Sequence, residues 1–132
     1  MSYEVVKEVR DLLISDGTVI SLVPASNIRV GWSESRISFP IVVITMVSES
    51  DIGYLGFGTS SEGNKLHRQE ATIQVDILSR SSIKETLDIG DAITKVLMYN
   101  GFSKATEVDI WDNLLKAHRR MLRFRKTYIK SL

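Results

Sequence analysis

The chain has 132 residues, of which 43% are hydrophobic and 25% are charged, and its formal net charge is +1. This composition is typical of a soluble globular protein, so we expect one domain over residues 1–132. The absence of cysteine excludes a disulfide framework, a thiolate metal site and a cysteine nucleophile. The sequence shows neither an apolar run long enough to cross a membrane nor a secretion signal, which favours a protein made in a cytoplasm.

The first predicted element is an amphipathic helix near the N-terminus, which ends at Asp16-Gly17. Its apolar residues recur at spacings of three and four, and they are Val5, Val6, Val9, Leu12 and Leu13. A short helical turn closed by Pro24 follows, and the segment NIRVGW then predicts a short strand.

The segment FPIVVITMVSES predicts the most apolar strand of the chain. Residues 41–44 are consecutive, apolar and mostly β-branched. A strand with one exposed face would alternate apolar and polar residues, so both faces of this strand need cover. The helices can cover one face, and another subunit is a candidate cover for the other.

A two-faced strand and a second long helix follow. In the strand, Ala71, Ile73, Val75 and Ile77 alternate with polar residues. The helix is predicted to begin at a cap formed by Ser81 or Ser82 and to end at Asn100-Gly101. Its predicted buried stripe consists of Ile83, Leu87, Ile93, Val96 and Leu97, with Gly90 beside it allowing close packing on the sheet.

Two further strands, in ATEVDIWD and RRMLRFRKTYI, are joined by a short polar link and predict a hairpin. The element order is therefore α, β, β, long loop, β, α, β, β. This order predicts an α+β domain: a mainly antiparallel sheet of about four to five strands with two main helices packed on one face.

Residues 52–65 are rich in glycine and predict a long flexible loop. Gly58 and Gly63 have the separation found in a phosphate-binding loop, but Asn64 precedes Lys65 and the segment connects two strands. We therefore expect no nucleotide and no other cofactor. The apolar residues of the loop are candidates either for contact with an assembly partner or for folding back on the domain: Ile52, Tyr54, Leu55 and Phe57.

The C-terminal part of the chain is basic, since no acidic residue follows Asp112. The candidate residues for a subunit interface or a DNA channel are Arg119, Arg120, Arg123 and Arg125. Interleaved aromatic residues suit binding of single-stranded nucleic acid. However, Leu122 and Phe124 share one face of the strand, which favours Phe124 as a core residue.

No arrangement of residues predicts catalysis or metal binding. His67 and His118 have no neighbours at metal-ligand spacing. Glu70 and Asp76 share a strand face, but they are six residues apart, which is too far for an acid–base pair. We predict a protein that is not an enzyme and that has no catalytic or metal-binding residue.

Four stretches, taken together, resemble the tail terminator family of long-tailed phages, whose members are also called tail completion or tail-to-head joining proteins. The stretches are VRDLLISDGTVISLVPASNIRVGW, SFPIVVITMVSES, EATIQVDILSRSSIKETLDIGDAITKVL and HRRMLRFRKTYI. They cover most of the chain, and the resemblance lies in their order and spacing.

The resemblance implies a virion structural protein at the head-proximal end of the tail, made in the host cytoplasm. It implies a homohexameric ring that caps the tail tube, stops tube polymerisation and offers a surface to the head connector or stopper protein. The expected partners are other copies of the chain, the tail tube protein and the connector, with no membrane. The C-terminal arginines would contact the double-stranded DNA that passes through the ring, or pair with a neighbour's acids, such as Glu34, Glu49 or Asp51.

Three alternatives stay open on the sequence. The first is a head-completion or connector adaptor protein, which would also assemble as a ring. The second is a small nucleic-acid-binding domain that uses the basic strand. The third is a nucleotide-binding enzyme that uses the glycine-rich segment.

Overall fold

A computed structural model of the chain describes residues 2–32, 38–59 and 65–131. The helices are α1 (Ser2–Ile14), α2 (Gly17–Leu22) and α3 (Ile83–Tyr99), with a single 3₁₀ turn at Ala25–Asn27. The strands are β1 (Ile28–Val30), β2 (Ile41–Thr59), β3 (Lys65–Ser79), β4 (Ser103–Asp112) and β5 (Ala117–Ser131). The predicted α+β class and the order of the main elements are confirmed.

The five strands form one sheet in the order β1-β2-β3-β5-β4. β1 pairs with β2 in parallel, and all the other pairs are antiparallel. β3 lies in the centre, and β5 lies between β3 and β4, so β4 forms an edge of the sheet. The hairpin of β4 and β5 turns at Lys116, whose φ is +52°.

The main core lies between one face of the sheet and the three helices. Successive residues of a strand point to opposite faces, so Ile73, Val75 and Ile77 of β3 lie beneath the helices together with Leu122 and Phe124 of β5. All five side chains are fully buried. The prediction that Phe124 is a core residue is confirmed. We call this side of the sheet the helix face and the opposite side the open face.

The open face has its own small core at one end, which corrects the expectation of a covering subunit. Ile41 and Val43 of β2 point to this face, where they pack with Leu78 and Ala117 in a second cluster. Phe39 and Leu115, from the segments before β2 and before β5, pack against them. The apolar run at residues 41–44 is therefore buried on both faces by the chain itself.

The ends of α3 follow the predicted capping. The Ser82 side chain accepts a hydrogen bond from the backbone N–H of Glu85 at 3.1 Å, and Asn100 ends the helix before Gly101, whose φ is +91°. The predicted buried stripe is wrong at Ile83 and Leu87, which are exposed. The residues of α3 that face the sheet are Thr86, Ile89, Gly90, Ile93 and Leu97.

Gly90 allows the close packing that the sequence predicts. A Cβ atom at this position would lie 3.1 Å from the Cδ of Arg120 and 3.5 Å from the Cδ1 of Ile77. A side chain at this position would therefore require Arg120 to shift if the helix kept its distance from β3 and β5.

The predicted long loop at residues 52–65 is largely strand. β2 continues through Thr59 and β3 begins at Lys65, with Gly53 opposite Arg68 and Thr59 opposite Lys65. The ladder has register shifts between Asp51 and Gly53 and between Tyr54 and Thr59. Backbone pairing with β3 therefore includes Gly53, Tyr54 and Thr59, and residues 60–64 lie outside the described residues.

Candidate assembly surface and basic face

The four candidate arginines of β5 divide between the two faces of the sheet. Arg119, Arg123 and Arg125 lie opposite Leu78, Gln74 and Thr72 of β3, on the open face. Arg120 lies opposite Ile77, on the helix face. The four residues therefore do not form one basic surface.

Arg119 belongs to a buried ion pair at the end of the open face. Its Nε donates to the Oδ1 of Asp76 at 2.9 Å, and its Nη1 lies 3.4 Å from the Oδ2 of Asp112. Asp76 is completely buried. The guanidinium also lies over the ring of Trp32, 5.3 Å from its centroid. Arg119 is thus engaged within its own chain.

Arg120 is also engaged, on the opposite face. Its Nη1 donates to the Oε2 of Glu107, and its Nη2 lies 3.4 Å from the Oδ2 of Asp109. A hydrogen bond from Lys104 lowers the pKa of Glu107, and the charges of Lys104 and Arg120 act in the same direction. Arg120 is only 8% exposed, which removes it from the candidate basic surface.

Arg123 and Arg125 remain exposed on the open face. The Nε of Arg123 donates to the Oε1 of Gln74 at 3.1 Å, and Gln74 in turn donates to the Oδ2 of Asp76 at 2.9 Å. Neither arginine forms an ion pair with any acid in the part of the chain that the structure describes. Among the four candidate arginines, these two carry the accessible positive charge.

The edge strand β4 offers a second surface with different chemistry. Eight of its ten residues are exposed. Val108 and Ile110 are exposed on the open face, and Trp111 is exposed on the helix face beside Ile83 of α3. A shallow cleft of about 280 Å³ lies here, and its lining includes Ile83, Trp111 and His118. An edge strand also presents unpaired backbone N–H and C=O groups, so β4 combines polar backbone with apolar side chains.

Sequence reasoning missed the exposed aromatic and aliphatic residues near this edge. Trp32, Trp111 and Leu114 are exposed, and Leu114, at the turn between β4 and β5, is 95% exposed. The exposure of Leu114 could have been predicted, because it is an apolar residue in a short polar link between two strands, and such links lie at the surface.

The apolar residues at 52–57 are only partly described. Ile52 is exposed on β2. The side chains of Tyr54, Leu55 and Phe57 lie outside the described residues. Their predicted contact with a partner stays a prediction.

The described side chains do not form a recognisable reaction centre. Within these residues no three His, Asp or Glu side chains could hold a metal ion together. Glu70 and Asp76 both lie on the open face, but the carboxylate of Asp76 is bound by Arg119 and Gln74. The Tyr128 hydroxyl donates to Glu8 at 2.7 Å, and burial, reinforced by Glu8, raises the pKa of Tyr128 well above its usual value. Asp76 and Tyr128 are thus held by contacts within the chain.

No helix in the described part of the chain is both long and apolar enough to cross a membrane.

The fold is similar to that of a chain in the solved structure of the virion of a native gene transfer agent particle. The TM-score is 0.66 at 11% sequence identity, and the alignment covers 92% of this chain and 92% of that chain. At this identity the likeness shows a shared fold over nearly the whole length of both chains. No protein-family model and no curated protein sequence matches this chain.

Proposed function

We propose that the chain is a virion structural protein that caps the head-proximal end of a phage tail tube. In this proposal six copies form a ring, which stops polymerisation of the tube and presents the surface that binds the head connector. The carrying observation is the fold likeness over 92% of both chains to a component of a gene transfer agent virion. The resemblance of four sequence stretches to tail terminators points in the same direction.

The edge strand β4 supports an assembly role. A closed ring of identical subunits needs two different complementary patches on each subunit. β4 has the features of one such patch. Its unpaired backbone groups can hydrogen-bond to a strand of another subunit, and its apolar side chains on both faces would be buried by that contact. Isolated side chains such as Val108 and Ile110 need no explanation, but their position on an open edge favours a contact.

The test combines the purified protein with tail tubes encoded beside it and measures particle mass and tube length. We expect rings of six times the 14.9 kDa of one chain, either free in solution or only at tube ends, and tubes that stop growing. The variant Ile110→Lys should lose the ring and the capping. Ile20→Lys is the matched control, since Ile20 is an equally exposed isoleucine on α2. A wild-type chain that stays monomeric and ignores tubes would contradict the proposal.

A head-completion or connector adaptor is the second candidate, because a fold likeness to one chain of a virion does not by itself distinguish a tail component from a head component. Purified heads and purified tails separate the two functions. Binding to tail ends supports the terminator, whereas binding to heads alone supports the adaptor.

A further inference from the structure

The centre of the open face differs in chemistry from the edge at β4. Apart from Glu70 and Ile129, which is exposed opposite Arg68, the described side chains on this stretch of β3 and β5 and on the facing parts of β2 and β4 are arginines or uncharged hydrogen-bonding groups. They are Thr45, Ser48, Ser50, Arg68, Thr72, Gln74, Ser103, Thr106, Arg123, Arg125 and Thr127. We call this set the basic face.

The positive charge of the basic face is accessible. Arg68, Arg123 and Arg125 are exposed, and none of them forms an ion pair with a described acid. Gln74 holds the Nε of Arg123 at 3.1 Å, which positions the guanidinium and leaves its terminal nitrogens to donate outward. Arg123 and Arg125 are two residues apart on one strand, so they stand roughly 7 Å from each other.

Apart from the single aliphatic residue Ile129, this chemistry does not match the core of a protein–protein interface. Such cores are depleted of charged residues and enriched in aromatic side chains. The exposed Trp32 and Ile110 lie at the other end of the open face, near Arg119. A polyanion is the occupant that complements arginines surrounded by hydroxyl and amide groups.

The geometry selects a double-stranded over a single-stranded polyanion. Binding of single strands depends on aromatic side chains on which bases stack. Phe124 and Tyr128 of β5 point to the helix face, where Phe124 is buried and Tyr128 bonds Glu8. Among the described residues of the basic face, none is aromatic.

We infer that the basic face binds the sugar–phosphate backbone of duplex DNA without reading its base sequence. Arg, Ser, Thr and Gln are the side chains that supply phosphate and sugar contacts in protein–DNA complexes. The inference goes beyond the proposed function and does not require the ring, because the face is complete on one chain. Within a ring it would assign the open face to the channel.

The test is fluorescence anisotropy of a labelled duplex of arbitrary sequence, about 30 base pairs long, over a salt series. The logarithm of the association constant falls linearly with the logarithm of the salt concentration, and the slope is about 0.9 for each phosphate contacted. The double variant Arg123→Gln/Arg125→Gln should therefore lower the slope by about 1.8. Over a fourfold rise in salt, the wild-type affinity should fall about 12-fold more than that of the variant.

The matched control is Lys84→Gln/Lys95→Gln, which removes the same charge from exposed positions on α3. It should keep the wild-type slope. Three results would each overturn the inference: an equal decrease of the salt slope in the control, an unchanged slope in the arginine variant, or tighter binding of a single strand of the same length. So would an arginine variant that loses its oligomeric state but keeps its DNA affinity, because the arginines would then be subunit contacts. Tail capping by the wild type is measured separately, so the two proposals fail independently.

Discussion

Replacing Asp76 with asparagine should destabilise the sheet, because Asp76 is the buried anion that Arg119 neutralises. The Asp76 side chain is completely buried, and its two oxygens accept from Arg119 and Gln74, each at 2.9 Å. Asparagine preserves the size and one accepting oxygen but removes the charge. The guanidinium of Arg119 would then lose its closest counter-ion.

The expected loss is about 2–3 kcal/mol of unfolding free energy. Removing one partner of a fully buried ion pair costs about 3–5 kcal/mol, because the other charge is left buried and unpaired. The Arg119 side chain is 22% exposed and keeps Asp112 at 3.4 Å, which places the loss below that range. For a domain of this size, such a loss lowers the Tm by roughly 6–15 °C.

Urea unfolding followed by circular dichroism measures the effect, with Arg119→Met and the double variant completing a cycle. The double variant Asp76→Asn/Arg119→Met should lose less unfolding free energy than the two single variants lose together, because it leaves no uncompensated buried charge. Asp91→Asn on the exposed side of α3 is the control and should stay within about 0.5 kcal/mol of wild type. If Asp76→Asn also stays within that limit, the argument that this ion pair stabilises the sheet is refuted.

Three further predictions concern other parts of the molecule. The pKa of Tyr128 is raised in the folded protein, so its neutral form stabilises the fold fully below the unfolded pKa of about 10, and this stabilisation is lost as the pH rises above that value. Tyr128→Phe should therefore show a smaller decrease in unfolding free energy over this pH range, measured by urea unfolding. Gly90→Val should cost about 1–3 kcal/mol in the same assay, since its Cβ would already lie 3.1 Å from Arg120, whereas Gly17→Ala, with open space around it, should not destabilise. Ile52→Asp should leave the Tm unchanged and weaken binding to tail tubes; unchanged binding would remove Ile52 from the assembly surface.

The elements that the sequence predicted well are those set by local chemistry. The alternation from Ala71 to Ile77 defines β3 and its buried face, and Ser82 and Asn100 mark the ends of α3. Position in the strand was also sufficient to assign Phe124 to the core. Each of these assignments depends only on the strand or helix period and on caps, which are properties of neighbouring residues.

The features that the sequence did not predict arise from contacts distant along the chain. Glycines at 53–58 favour a loop, but β2 continues through this segment and pairs with β3 at Gly53, Tyr54 and Thr59, because ladder contacts outweigh local propensity. The cover of Ile41 and Val43 comes from Phe39 and Leu115, and no local pattern indicates Leu115. The ion pair of Arg119 with Asp76 joins residues 43 positions apart, so the loss of Arg119 from the accessible basic surface was not visible in the sequence.

The measurement that tests the central claim most directly is electron cryo-microscopy of tail tubes assembled with and without this protein. The account predicts a sixfold ring of the chain at one end of each tube and a uniform tube length when the protein is present. Tubes of unlimited length with bare ends, in the presence of excess folded protein, would contradict the assignment to the tail end of a virion.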